Sequence, residues 1–230
     1  MLVRTVPLAI VLLLLSCAGG GDQKKSIMHY KLGASHLESG QLQAAYLEFQ
    51  KALEYDRGEK QIYNAIGYIH LKFEEPEKAE SYFLKAVSLD RDYSDAYNNL
   101  CRVYYDKKDY ERAVQTCKKA LENPLYITPQ RAFYNLGNTY CRTRRYPEAI
   151  RAYKDALKRD TGFYPAYYGL ALAHNALGEY GPASAALEKA IKGDPQFAGE
   201  AEKAEEKIKK RVAAPVEEDD MDSLIEIFRY

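Results

Sequence analysis

The chain of 230 residues is 47% apolar and 29% charged, and its 33 basic side chains are balanced by 33 acidic ones. This balance gives no electrostatic reason to expect nucleic acid as a partner, because such proteins carry an excess of positive charge. Charge is uneven only locally, with eight basic side chains in residues 130–160 and six acidic ones in residues 215–230. Either both segments are solvated surface, or they dock on each other, or the basic segment binds a partner.

Residues 1–16 are typical of an export signal peptide. One positive residue, Arg4, precedes an apolar run from Val6 to Leu15. The run is too short to span a bilayer, which requires about 20 apolar residues. The sequence L-L-S-C at its end resembles the lipobox of bacterial lipoproteins, and this resemblance implies cleavage before Cys17 and lipidation of that cysteine. An ordinary signal peptide with an incidental cysteine is the alternative.

Residues 17–25 follow as a predicted flexible tether, because the three glycines at 19–21 favour no fixed conformation. Several acyl chains on Cys17 would anchor the mature protein stably without a membrane span. In lipoprotein families an aspartate after the cysteine tends to retain the protein in the inner membrane, and Ala18 stands there instead. The resemblance therefore implies a lipid anchor in the bacterial outer membrane, on its periplasmic face.

From residue 26 onward the same residue types recur in five registers. Within each register, positions 20 and 27 are always alanine, position 8 is small, and position 24 is bulky apart from one cysteine. Small residues let two helices approach closely, while large ones fill the space toward the next pair. Each register is therefore predicted to be a helical hairpin. The five repeats start at Ser26, Lys60, Ser94, Gln130 and Tyr164.

This 34-residue pattern resembles the tetratricopeptide repeat (TPR). The resemblance implies an all-α solenoid of five helical hairpins over residues 26–197, because a single hairpin cannot bury its apolar face and must stack on its neighbours. Residues 198–213, which are rich in Glu and Lys, are predicted to be a C-terminal capping helix. Residues 214–230 are predicted to be an acidic tail with an apolar turn near its end.

The four histidines do not suggest a metal site. His36, His70 and His174 occupy repeat position 11, where tyrosine stands in the other two repeats, and His29 belongs to an aromatic column at position 4. They are predicted to be packing residues, and successive ones in a column are too far apart to share one ion. No catalytic or phosphate-binding motif is present. The sequence thus predicts a protein that is not an enzyme and takes no metal, cofactor or small-molecule substrate.

Three cysteines remain after Cys17, in an exported and oxidising setting. Cys101 and Cys117 stand at positions 8 and 24 of one repeat, on facing helices, whereas Cys141 lies in the next repeat. A disulfide between Cys101 and Cys117 is favoured, because only these two share a hairpin. Free buried thiols are the alternative.

The inner surface of the predicted solenoid is the candidate binding site. In the TPR class, positions 2, 5, 6, 9 and 12 of the first helices point into a concave groove. Asn and Arg can hydrogen-bond a peptide there and Tyr adds apolar contact area, although a solvated polar face without a ligand is the alternative. The predicted groove residues are Asn64, Tyr68, Asn98, Asn99, Arg102, Tyr105, Arg131, Tyr134, Asn135 and Asn138.

The spacing between repeats stretches from 34 to 36 residues at one place, between the third and fourth repeats. The connector there reads N-P-L-Y-I-T-P, with an Asn-Asn pair before it and Asn-Leu-Gly after it. This combination resembles the outer-membrane lipoproteins that act as pilotins for type IV pili, in which an N-P-x-Y-x-x-P connector joins the same two repeats.

The pilotin resemblance implies a non-enzymatic scaffold that binds the type IV pilus secretin. Family members promote the localisation or multimerisation of that protein in the outer membrane. A general periplasmic TPR adaptor, which recruits cell-wall hydrolases or other envelope machinery, is the alternative. Neither interpretation involves nucleic acid.

Overall fold

The computed structural model describes the backbone of residues 8–195 and the side chains of residues 21–195. This part of the chain consists of ten α-helices and contains no strand, which confirms the predicted all-α class. The predicted capping helix (198–213) and acidic tail (214–230) lie outside the described residues. The helices are α1 (Leu8–Glu38), α2 (Leu42–Tyr55), α3 (Lys60–Lys72), α4 (Pro76–Leu89), α5 (Ser94–Asp106), α6 (Tyr110–Leu121), α7 (Pro129–Arg142), α8 (Tyr146–Arg159), α9 (Tyr164–Ala176) and α10 (Tyr180–Gly193).

Consecutive helices form five hairpins, from α1 with α2 to α9 with α10, and each hairpin is one of the predicted repeats. The chain divides between Ala96 and Tyr97 into two compact units. In the first unit, Phe49 and Ile66 lie in a buried core that tyrosines of α1, α2 and α4 partly cover. In the second unit, α6 packs on α7 and α8 packs on α9, so that each hairpin covers the next.

Residues 17–25 differ from the predicted flexible tether, because α1 runs through them as a continuous helix. Each residue added to an existing helix gains one backbone hydrogen bond, which offsets the low helix propensity of the glycines, about 1 kcal/mol each. Residues 21–25 are exposed, so no buried face accompanies this part of the helix.

The small residues at position 8 lie against the large ones at position 24, as the repeat pattern predicts. A Cβ atom added to Gly33 would lie 2.8 Å from the ring of Phe49, and one added to Gly67 would lie 2.7 Å from the ring of Phe83. Real Cβ atoms do not approach so closely, so glycine allows the two helices of a hairpin to meet around the ring. The alanines at positions 20 and 27 are at most 2% exposed; they are Ala45, Ala79, Ala113, Ala149, Ala183, Ala52, Ala86, Ala120, Ala156 and Ala190.

The turn inside each hairpin contains a residue with left-handed backbone at position 15. The first and last repeats have Gly40 and Gly178 there, with φ of 72° and 73°. The three central repeats have Glu74, Lys108 and Arg144 instead, with φ between 58° and 60°. A side chain in this conformation costs roughly 1–2 kcal/mol, whereas glycine adopts it freely.

Aspartates at position 31 stabilise the turns between repeats. Asp56, Asp90 and Asp160 each accept a hydrogen bond from the backbone N–H two residues later, at 2.7, 2.9 and 2.9 Å. Hydrogen bonds from the Lys60 ammonium and from the Asp92 N–H lower the pKa of Asp90. Its carboxylate is charged at neutral pH and joins the turn after α4 to Lys60 at the start of α3.

A longer connector, residues 122–128, joins α6 to α7. It has seven residues, whereas four residues join α2 to α3 and α8 to α9. The connector contains Pro124, and Pro129 opens α7, where proline is well tolerated because the first N–H groups of a helix have no partner within it.

Candidate functional site

The predicted groove residues fall in both units. Asn64 and Tyr68 lie on α3 of the first unit and are half-buried. Asn64 hydrogen-bonds the Tyr93 hydroxyl, and burial raises the pKa of Tyr93. The Lys72 ammonium lies 5.7 Å from the centre of the Tyr68 ring. Both side chains are thus positioned by neighbours within their own unit.

In the second unit, two predicted binding residues bind each other. The Asn135 amide nitrogen on α7 donates to the Asn98 amide oxygen on α5, at 2.9 Å. Asn98 is only 8% exposed. The pair joins the first helices of the third and fourth repeats, because a buried amide must find a partner. Asn98 therefore positions the two helices, and its predicted contact with a partner stays a prediction.

Tyr153 of α8 donates a hydrogen bond to Asn138 of α7. Its hydroxyl lies 2.7 Å from the Asn138 amide oxygen, which accepts a hydrogen bond from it, and 3.5 Å from the Cys141 sulfur. The Tyr153 ring is fully buried and lies between Gly137 and Gly169, where an added Cβ would be 2.5 Å and 2.4 Å from it. Burial raises the pKa of Tyr153 well above its ordinary value.

Cys141 is a buried free thiol beside this ring. Burial raises its pKa to about 11, and the hydrogen bond with the Tyr153 hydroxyl acts in the opposite direction. The thiol is therefore protonated at neutral pH, and it acts as a small apolar residue of α7, because only the thiolate is nucleophilic.

Tyr134 belongs to an aromatic cluster at the start of α7. Its ring centre lies 6.0 Å from that of Tyr153 and 5.6 Å from that of Phe163, the second contact edge to face. Tyr105 on α5 makes a similar edge contact with Tyr110, at 5.9 Å. These rings give α5 and α7 half-buried apolar surface next to polar side chains.

The most accessible polar groups of this surface are two arginines. Arg131, in the first turn of α7, is exposed. Arg102 on α5 is 36% exposed and lies 3.9 Å from the Asp106 carboxylate. Neighbouring Asn99 is half-buried. Guanidinium groups bind carboxylates or backbone carbonyls through paired N–H donors, so this arrangement suits contact with a protein segment.

Cys101 and Cys117 form a disulfide between α5 and α6. Their Cα atoms are 5.1 Å apart, within the range that a disulfide requires, and both residues are fully buried. The bond occupies the place that a glycine and an aromatic ring share in the neighbouring repeats. The sequence favoured this pairing, and the structure contains it.

Three of the four histidines hydrogen-bond the residue that immediately precedes the following helix, whereas His29 lies 2.7 Å from Glu48 within α2. Nδ1 of His36 lies 2.6 Å from Gln41, Nδ1 of His70 lies 2.6 Å from Glu75, and Nδ1 of His174 lies 2.5 Å from Glu179. Among residues 21–195, no three His, Cys, Asp or Glu side chains are grouped as metal ligands. The sequence reasoning missed these pairs, although a Gln or Glu at position 16 accompanies each histidine at position 11.

No helix in the described residues is long and apolar enough to cross a membrane. The family model of the tetratricopeptide repeat matches residues 30–94, 64–127 and 134–197, which together make up more than half of the chain. The chain belongs to the tetratricopeptide repeat family. A TPR fold is in general a non-catalytic scaffold for protein–protein interaction, which agrees with a surface of arginines, amides and tyrosines.

Solved structures with the TPR fold are similar at low sequence identity. PilF of Pseudomonas aeruginosa is 21% identical with a TM-score of 0.69, over 90% of this chain and 99% of that chain. PilW, a widely conserved type IV pilus biogenesis factor, is 19% identical with a TM-score of 0.69, over 87% and 98%. MamA is 20% identical with a TM-score of 0.59, over 84% and 98%. These likenesses concern the fold.

A curated relative, human protein O-mannosyl-transferase TMTC2, is 32% identical over 97 residues. The match takes in 41% of this TPR chain. The chain spans 11% of the length of that relative. The match therefore carries no argument about transferase activity here.

Proposed function

We propose that the protein is a non-enzymatic lipoprotein of the outer membrane that binds the type IV pilus secretin and promotes its localisation or multimerisation. The N-P-L-Y-I-T-P connector between the third and fourth repeats carries the proposal. The lipobox ending at Cys17 supports a place in the outer membrane, and the fold likeness to PilF and PilW over most of each chain supports a role in pilus biogenesis.

The buried disulfide between Cys101 and Cys117 supports export. Structural disulfides persist in oxidising compartments such as the bacterial periplasm and are rare in the cytosol. This observation fits the predicted signal peptide and is independent of it.

The contact surface that we propose is the accessible part of α5 and α7. Arg102 and Arg131 supply charged donors, and Tyr134 supplies apolar area beside them. The hydrogen-bonded Asn98 and Asn135 hold the two helices that carry these side chains. The surface thus combines rigid support with groups suited to an acidic or extended segment of the secretin.

Replacing Arg102 and Arg131 together by alanine tests this surface. Each hydrogen bond to a charged group contributes about 1.5–3 kcal/mol, so we expect capture of the secretin from outer membranes to weaken by roughly tenfold or more. The matched control is Arg151→Ala with Lys154→Ala, which removes two exposed positive charges from α8. Equal capture by both double variants would show that the secretin does not bind through Arg102 and Arg131 of α5 and α7.

The alternative is a general periplasmic adaptor for cell-wall hydrolases or other envelope machinery. It shares the TPR scaffold and the anchor but gives no reason for the N-P-L-Y-I-T-P connector. Deleting the gene separates the two proposals: loss of secretin multimers and surface pili supports the pilotin role. Normal multimers and pili in the deletion strain would leave the adaptor.

A further inference from the structure

Two neighbouring apolar side chains of the connector point into solvent. Leu125 is 84% exposed and Ile127 is 91% exposed, the highest values for large apolar residues in the described part of the chain. Single exposed apolar residues are common on protein surfaces. Here two aliphatic side chains on one seven-residue loop are almost fully exposed, whereas Tyr126 between them is half-buried.

The connector holds these side chains outward. The Asn123 side-chain oxygen accepts a hydrogen bond from the Leu125 N–H at 2.9 Å, and its backbone carbonyl accepts one from the Tyr126 N–H at 3.2 Å. Pro124 has a fixed φ, which reduces the freedom of the loop further. A loop that is already ordered loses less conformational entropy when it binds.

Positive charge flanks the apolar tip. Lys118 in the last turn of α6 and Arg131 in the first turn of α7 are both exposed. The acidic residue between them, Glu122, is paired with Lys119 at 2.6 Å. Residues 123–130 carry no charge at all. An aliphatic tip with a basic rim is the composition that favours the surface of an anionic bilayer.

We propose that Leu125 and Ile127 insert into the interface of an anionic lipid bilayer, while Lys118 and Arg131 attract its headgroups. This inference rests on the proposed lipid anchor, since two aliphatic side chains bind a membrane only weakly and require a second attachment. An anchor in the same molecule supplies that attachment by raising the local concentration of the connector at the bilayer. The connector is thus a second membrane contact, which shares Arg131 with the surface proposed to bind the secretin.

A bilayer fits this tip better than a protein partner does. Stable protein interfaces bury about 1,200–2,000 Å² and depend on Trp, Tyr and Arg anchors. The connector offers two aliphatic side chains on a convex loop, and its aromatic residue, Tyr126, is turned partly inward. Insertion of a small apolar tip into a lipid interface requires no complementary pocket.

Tryptophan fluorescence tests the inference directly, because the natural chain contains no tryptophan. The lipidated full-length variant Ile127→Trp is reconstituted in vesicles of phosphatidylcholine with phosphatidylglycerol. We expect its emission to shift to the blue, brominated acyl chains to quench it, and iodide in the buffer to lose most of its quenching. The control is Leu84→Trp, at a 45% exposed position of α4, whose tryptophan remains open to iodide.

Three results would overturn the inference. The first is an Ile127→Trp variant that floats with the vesicles but stays as open to iodide as Leu84→Trp. The second is shielding that develops only after purified secretin is added, which would identify a protein partner. The third is failure of both variants to float, which would remove the lipid anchor on which the inference rests. The shielding of Ile127→Trp is measured before secretin is added, and secretin capture is measured separately with Arg102→Ala and Arg131→Ala, so failure of the membrane contact is distinguished from failure of the secretin-binding surface.

Discussion

At the scale of single residues, Tyr153 shows how small and large side chains depend on each other. Its ring fills the space between α7 and α9, because Gly137 and Gly169 have no side chains to occupy it. The Tyr153 hydroxyl also donates a hydrogen bond to Asn138 on the candidate binding surface. Packing in the core thus fixes the position of the Asn138 amide on α7.

Replacing Gly137 by alanine is expected to destabilise the protein. The new Cβ would lie 2.5 Å from the Tyr153 ring, and Gly169 on the other side prevents the ring from retreating. Overpacking of this kind costs about 1–3 kcal/mol, which exceeds the gain of about 1 kcal/mol in helix propensity. Chemical denaturation followed by circular dichroism measures the change.

Gly181→Ala is the matched control, because an added Cβ at this position of α10 meets nothing within 4 Å. Its unfolding midpoint should stay the same or rise slightly. A midpoint for Gly137→Ala that is equal to or above that of the natural protein would contradict the packing argument.

The burial of individual groove residues could not be predicted from the sequence. The repeat columns correctly predict that Asn98 and Asn135 lie on first helices, because position in a helix follows from the period. They do not predict that the two amides face each other, since this contact depends on the distance between helices 37 residues apart in sequence. For the same reason, the sequence does not predict the hydrogen bond from Tyr153 to Asn138.

At the scale of secondary structure elements, the third hairpin replaces the packing of its neighbours by a covalent bond. The first, second and fourth hairpins place a position 8 glycine against a position 24 ring, whereas α5 and α6 are joined by Cys101 and Cys117. Repeat spacing alone predicted the hairpins and paired these positions. The choice between bonded and free thiols required the structure, because helix separation decides it.

Loss of this disulfide is expected to lower the free energy of unfolding. A disulfide that closes a loop of about 15 residues contributes roughly 3 kcal/mol by restricting the unfolded chain. We expect Cys101→Ala with Cys117→Ala to lose about 2–4 kcal/mol, as measured by urea denaturation. Cys101→Gly with Cys117→Phe should lose less, because it rebuilds the contact of Gly67 with Phe83.

Reductant provides the control for this comparison. It should lower the stability of the natural protein and leave both double variants unchanged. If the double alanine variant is as stable as the oxidised natural protein, the bond does not stabilise the hairpin.

At the scale of the whole molecule, the proposed function requires the scaffold to remain at a membrane. We expect Cys17→Ala to release the protein into the soluble periplasmic fraction, because it removes the proposed acyl chains. Fractionation and mass spectrometry of the processed N-terminus measure the outcome. Cys141→Ala, which changes a buried cysteine, should remain attached. Unchanged membrane attachment of Cys17→Ala would favour an ordinary signal peptide and another means of attachment.

The hairpin turns have a consequence for adaptation to temperature. Gly40 and Gly178 fit their left-handed position, but Glu74, Lys108 and Arg144 hold the same backbone with a side chain attached. Each is a place where a single change to glycine relieves roughly 1–2 kcal/mol of strain, less the conformational entropy, up to about 1 kcal/mol, that glycine adds to the unfolded chain. A lineage that moves to a warmer habitat therefore has three independent routes to a more stable protein, none of which alters the core or the surface proposed to bind the secretin.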